Sequence, residues 1–268
     1  MLRDNPGVSS ESYDVLIIGG GPGGSSTATF LAQAGKRVLV LEKEVFPRFH
    51  IGESLLPCNM TIFREMGVRP ALYAAGFPRK FGARFEIANL PLSTRFAFGQ
   101  GKYNREPEAI QVERAVFDHV LLKHARTAGA DAREGWTVTK ASTDANGATL
   151  EATAPDGTPH TFRGAYLIDA SGRGNLTGNQ EGIRVMHPKH KKLAVFAHYT
   201  GVKRAEGEAG NDIIIVRLDN KWFWIIPISA DKTSVGLVID KDAFAQEPGS
   251  PQEVLERILQ FGDRLAAQ

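Results

Sequence analysis

Residues 19–24 read Gly-Gly-Gly-Pro-Gly-Gly and contain the spacing G-x-G-x-x-G, and Glu42 follows 18 positions after Gly24. Glycines so placed allow a tight turn at Gly19, let the backbone at Gly21 approach a pyrophosphate, and let a helix pack closely at Gly24. Pro22 and Gly23 open that helix, whose N-terminal N–H groups favour an anion. Glu42, at the end of the next strand, can accept from ribose hydroxyls and argues against a 2′-phosphate, which leaves the adenosine half of FAD or NAD. A second constellation is Lys221 to Ser229, KWFWIIPIS. Strand alternation puts Trp222, Trp224 and Ile226 on one face and Phe223 and Ile225 on the other, so the two indoles either wall one cavity or simply fill core. His187 and His190 form H-x-x-H with no carboxylate or third ligand nearby, which reads as a solvated loop, and no metal site is expected.

These residues need elements to hold them. Tyr13 to Gly19 is a short apolar run, Gly24 to Ala34 is rich in small helix-tolerant residues, and Arg37 to Glu42 is β-branched and apolar: strand, helix, strand. A second helical period runs from about Arg114 to Ala128, with Val116, Val120, Leu121 and His124 on one face. Between Trp136 and Phe162, Asn146-Gly147 and Asp156-Gly157 break alternating segments, predicting an antiparallel meander. Ala165 to Ile168 reads as a buried strand entering Asp169-Ala170-Ser171-Gly172-Arg173. Leu193 to Thr200, Asp212 to Leu218 and Trp222 to Ile239 predict a second sheet, followed by a short amphipathic helix over Pro251 to Phe261.

The chain has 268 residues, 42% apolar and 23% charged, with a net charge of +2. That balance gives no electrostatic reason to bind nucleic acid or a membrane surface. A single cysteine, Cys58, excludes an internal disulfide and fits a reducing cytoplasm. No run approaches the roughly 20 apolar residues of a membrane helix. The polar start MLRDNPGVSSES reads as a short disordered leader.

From Phe46 the sequence continues FPRFHIGESLLP. Together with the glycine fingerprint it resembles flavin-dependent halogenases of the phenol and pyrrole type, within the larger family of p-hydroxybenzoate-hydroxylase-like flavoproteins. The resemblance implies FAD, with Arg48 and Ser54 along the cofactor. VERAVFD, Val112 to Asp118, resembles the family segment whose arginine, here Arg114, reaches the pyrophosphate. Val138 matches the position whose backbone faces the adenine, and LIDASGR matches an inner strand with Asp169 near the cofactor. An isolated Asp at a strand end otherwise caps a turn. PRKFGARF resembles the segment of an essential lysine, here Lys80. Reduced FAD, O2 and chloride or bromide would yield hypohalous acid, which Lys80 would hold either as a hydrogen-bond donor or as a haloamine. KWFWIIP fits the family's W-x-W-x-I-P, and Trp222 and Trp224 would screen organic substrate from the oxidant.

The implied fold is α/β: a Rossmann-like FAD-binding domain with an inserted β meander, over 1–78 and 107–185, and a mostly antiparallel substrate-facing sheet, over 79–106 and 186–268. The implied partners are a separate NAD(P)H-dependent flavin reductase and an electron-rich phenol or pyrrole, free or tethered to a carrier protein. The family's later Gly-Asp segment and C-terminal region have no counterpart, which reads as a C-terminal truncation. Two further readings stand beside the halogenase: a flavin monooxygenase or geranylgeranyl-reductase-like oxidoreductase, and an inactive FAD-binding fragment.

Overall fold

The computed structural model describes residues 8–88, 90–102, 106–188 and 190–266. Along the chain run β1 (Val8–Ile18), α1 (Pro22–Gln33), β2 (Val38–Glu42), α2 (Pro57–Met66), α3 (Arg69–Ala74), β3 (Arg79–Lys80), β4 (Gly82–Ile87), β5 (Leu92–Ala97), β6 (Ala109–Ile110), α4 (Arg114–Thr127) and β7 (Asp131–Glu134). There follow β8 (Thr137–Asp144), β9 (Gly147–Thr153), β10 (Pro159–Asp169), α5 (Leu176–Gln180), β11 (Lys192–Thr200), β12 (Ile213–Arg217), β13 (Lys221–Pro227), β14 (Lys232–Asp240), α6 (Lys241–Phe244) and α7 (Pro251–Ala266). They form two compact units, the first from residues 1–51, 66–72 and 114–185, the second from 52–65, 73–113 and 186–268.

The first unit is built on a six-stranded sheet in the order β7-β2-β1-β10-β9-β8. β7, β2, β1 and β10 are mutually parallel, while β9 and β8 continue the sheet antiparallel, so the meander extends the central sheet. The Val-Leu-Ile runs of β1 and β2 bury both faces, as parallel strands covered on both sides must. Val15, Ile17, Val38 and Val40 pack with Ala28 of α1 and Leu122 and Ala125 of α4. Their neighbours Leu16, Ile18, Leu39 and Leu41 face Val138, Leu150, Ala152 and Phe162.

The second unit carries a six-stranded sheet in the order β11-β14-β13-β12-β4-β5, antiparallel except where β12 meets β4, with a separate β3–β6 pair. Phe223 on β13 and Val235, Leu237 and Ile239 on β14 pack against Val254, Leu255 and Ile258 of α7. Among the described residues no helix is long and apolar enough to cross a membrane.

Four local expectations are corrected. The buried face of α4 is Phe117, Leu121, Leu122 and Ala125 with Asp118, while Val116 is exposed. Aliphatic spacing alone cannot choose between two adjacent helical stripes. Ala165 and Tyr166 in β10 are exposed, although the run reads as buried. The first hairpin turns at Ala145-Asn146, with Gly147 paired to Asp144 and carrying the positive φ of 127°. The leader is not unstructured throughout: Val8 to Ser12 already belongs to β1, and residues 1–7 lie outside the described residues.

Candidate functional site

The turn between β1 and α1 shows why glycines stand where they do. Gly19 has φ +97°, a left-handed value that a side chain resists, and a Cβ there would lie 2.5 Å from the Ala170 carbonyl oxygen. A Cβ on Gly24 would lie 1.9 Å from the Gly19 carbonyl oxygen, so α1 approaches the turn as closely as backbone allows. Gly23 faces open space. Gly21 is the N-cap of α1 and supplies no side-chain cap, and Pro22 follows at the first helical position. The end of α1 therefore keeps its dipole and its first N–H groups without a side-chain acceptor.

In front of this turn the first unit holds a groove of about 610 Å³ lined by Gly19, Gly21, Glu42, Arg48, Arg114 and Val138, with Trp136 and Arg173. An adjoining recess is lined by Pro22, Gly23 and Asp169. Glu42 is buried, and its carboxylate accepts from the backbone N–H of Gly20 at 2.7 Å and of Glu44 at 2.9 Å. Each carboxylate oxygen has a second lone pair, so these bonds fix the group while leaving it able to accept from a hydroxyl. Asp169 is indeed a turn cap: it accepts from the N–H of Ser171 and from the N–H and hydroxyl of Thr177. Burial pushes its carboxyl up, but the hydrogen bonds from Ser171 and Thr177 outweigh it and hold the group below the ordinary range.

Asp118 organises the two arginines, and the sequence reading passed over it. Its fully buried carboxylate accepts from Arg48 Nη1 at 2.8 Å and from Arg114 Nε and Nη2 at 2.7 and 2.8 Å. Arg114 also donates to the Ile51 carbonyl at 2.6 Å. Arg48 lies 3.1 Å from Glu44 through Nε, an ion pair outside hydrogen-bond geometry, and 4.0 Å from Glu42. The signal for half of this was available, since Arg114 and Asp118 stand at i and i+4 on one helix. The link to Arg48, 70 residues away, needs the fold.

In the second unit, Lys80 is completely buried and its ammonium donates to Ser54 Oγ at 2.7 Å, with the Phe98 ring 5.5 Å away. Burial lowers its pKa to about 8, against the opposing pull of Asp212. Ser54 thus sits with Lys80 and is not among the groove-lining residues. Next to it, the buried Glu53 lies 2.8 Å from His198 Nε2 through Oε1, and its Oε2 has no hydrogen-bond partner. Trp222 is 37% exposed, whereas Trp224 is buried, with ring centroids 6.1 Å apart. Trp224 Nε1 donates to Ser234 Oγ at 3.1 Å, and its indole covers Gly236, whose added Cβ would lie 2.1 Å from the ring. Pairing of Trp224 with Gly236 across β13 and β14 makes room that no local pattern announces.

Residues 12–260 match the family described as FAD binding domain. The chain is 32% identical over 260 residues to a 1H-pyrrole-2-carbonyl-[peptidyl-carrier protein] chlorinase of Pseudomonas fluorescens, covering 88% of this chain and 58% of that protein. Among solved structures it is similar to the myxobacterial chondrochloren halogenase CndH, an FAD-dependent halogenase, with TM-score 0.87 and 33% identity over 93% of this chain and 58% of that one. It is also similar to a flavoprotein/dehydrogenase of Cytophaga hutchinsonii, with TM-score 0.89 and 32% identity over 96% and 63%. The chain spans a little more than half the length of these relatives.

Proposed function

The chain belongs to the FAD binding domain family, and from that premise we infer that it is the FAD-dependent part of a halogenase acting on an electron-rich aromatic ring. The first unit's groove takes the cofactor: the α1 N-terminus and Arg114 meet the pyrophosphate, Glu42 the ribose hydroxyls, and Val138 the adenine side. The open space at Gly23 and the capless helix end fit a diphosphate there. Bound reduced FAD with O2 supplies the oxidising equivalent that converts chloride or bromide to hypohalous acid.

One observation carries the halogenase reading: Lys80 is a fully buried amine with its pKa lowered to about 8. Near neutral pH most of it is ammonium, a donor with three N–H bonds, one of which goes to Ser54. The remaining donors suit the oxygen of hypohalous acid, which leaves as water when the halogen passes to the ring and the ring loses its proton. Above pH 8 the free amine dominates and the haloamine route gains weight. Trp222 and Trp224 supply bulk that admits halide more readily than an organic ring.

A pyrrole carried on a carrier protein is the substrate class that the chlorinase relative supports. We assign the supply of reduced FAD to a separate flavin reductase, in the cytoplasm, where the single thiol of Cys58 stays reduced. The test is incubation with reduced FAD, O2, bromide and a panel of phenols and carrier-bound pyrroles, followed by mass spectrometry. A bromine isotope pattern that disappears in Lys80→Ala, with FAD affinity kept, is the expected result. Gain of a single oxygen marks a monooxygenase. Substrate reduction supports the oxidoreductase reading favoured by the flavoprotein/dehydrogenase likeness.

A further inference from the structure

Lys80 has a second electrostatic neighbour that the halogenase reading leaves unused. Its strand β3 packs on the short 3-10 turn Gly207–Asn211, and Asp212 closes that turn. The Asp212 side chain is fully buried. Its Oδ2 accepts from Arg95 Nε at 2.6 Å, and its Oδ1 is buried with no hydrogen-bond partner. A Cβ added to Gly82, two residues beyond Lys80, would lie 2.9 Å from Asp212 Oδ2, so the carboxylate is pressed against the start of β4, just after the lysine in the chain. In such surroundings the field of one unpaired oxygen is poorly screened.

Of the other groups about Lys80, Ser54 is a neutral acceptor, and Glu53 beside it pairs with His198 through Oε1 while its Oε2, like Asp212 Oδ1, is buried without a hydrogen-bond partner. Glu108 on the segment entering β6 is bound by Arg79 and Tyr73, and the Gln111 amide donates to the Asn211 carbonyl at 3.0 Å. Phe98 presents an uncharged ring 5.5 Å from the amine. Arg95 is one-third exposed, so its charge is partly screened by water and cancels Asp212 incompletely.

We propose that Asp212 is the counter-charge that keeps Lys80 protonated and that Arg95 sets how strongly it does so. Both are positioning residues for a proton on the reactive amine. The proposal rests on the reading of Lys80 as that amine, and gives it a control: the field of Asp212 works against the burial that lowers Lys80. It makes the ammonium form the working state at neutral pH, and thereby favours hydrogen-bond delivery of the halogen over a haloamine.

The experiment is an NMR titration of the full chain carrying lysine labelled with 13C at Cε, across neutral and alkaline pH, with the Lys80 signal identified by its loss in Lys80→Met. The unaltered chain should titrate near 8. Asp212→Asn should lower the midpoint by about one unit, the size expected for loss of an adjacent opposite charge, and Arg95→Met should raise it. A role confined to packing would move neither. Unchanged midpoints in both variants, or shifts in the same direction, overturn the proposal. If Asp212→Asn does not fold by circular dichroism, Arg95→Met decides alone, and an unchanged midpoint there is the negative result. The titration reads ionisation without turnover, so a chain that titrates as expected yet halogenates nothing would sink the halogenase reading and leave this one standing.

Discussion

Lys80 is held at an energetic cost that can be measured through pH. Its pKa is about 8 when folded and 10.5 ordinarily, so between those values the unfolded chain binds more protons and stability rises with pH. Below pH 8 the full penalty applies, about 3 kcal/mol from the size of the shift. Replacing the amine removes the penalty: Lys80→Met should unfold at higher urea concentration than the unaltered chain at pH 7, and the gain should vanish toward pH 10.5. A constant difference across that range would mean that the amine is not desolvated. Asp118 makes the opposite case, a buried carboxylate bound by two guanidiniums. Asp118→Asn keeps the shape but loses the charge that steers Arg48 and Arg114, and should weaken FAD binding roughly tenfold by fluorescence titration. The motifs pointed to Arg114 and to Lys80. The burial of Lys80, and the sharing of Asp118 between residues 48 and 114, arise only when distant segments meet.

At the level of elements, the β1-turn-α1-β2 unit was readable because each of its requirements is local: apolar runs for two buried strands, glycines for the turn, small residues for the helix. The face of α4 was not, because Phe117 and Val116 are equally apolar and only the position of the sheet beneath decides which is buried. Register is likewise non-local. Trp224 lies opposite Gly236 because β13 and β14 pair Pro227 with Thr233, and a slip of one residue would set the indole against a side chain. Gly236→Ala should therefore displace the ring, costing about 1 to 3 kcal/mol of stability and shifting tryptophan emission to the red as water reaches the indole. Gly99→Ala is the control, since its φ is not positive and a Cβ there meets only Pro107 at an ordinary 3.6 Å, and it should leave stability and emission unchanged.

At the scale of the whole molecule, FAD should stabilise by mass action, about 3 kcal/mol at a hundredfold excess over its dissociation constant. All the groove residues belong to the first unit, so hydrogen exchange on adding FAD should slow at the β1–α1 turn, the end of β2 and the start of β8. Protection confined to the second unit would place the cofactor elsewhere. The mixed α/β class and the presence of a second sheet were legible from the order of apolar runs, but the way the chain divides was not, because short connecting stretches such as 52–65 and 66–72 alternate between units. That alternation has a genetic corollary. Each unit draws on three separate stretches of sequence, so no single breakpoint in a coding region releases either one whole. A crossover between two such genes exchanges pieces of both units at once. Diversification by exchanging whole modules is closed to such an architecture, and new specificities have to arise by substitutions made in place.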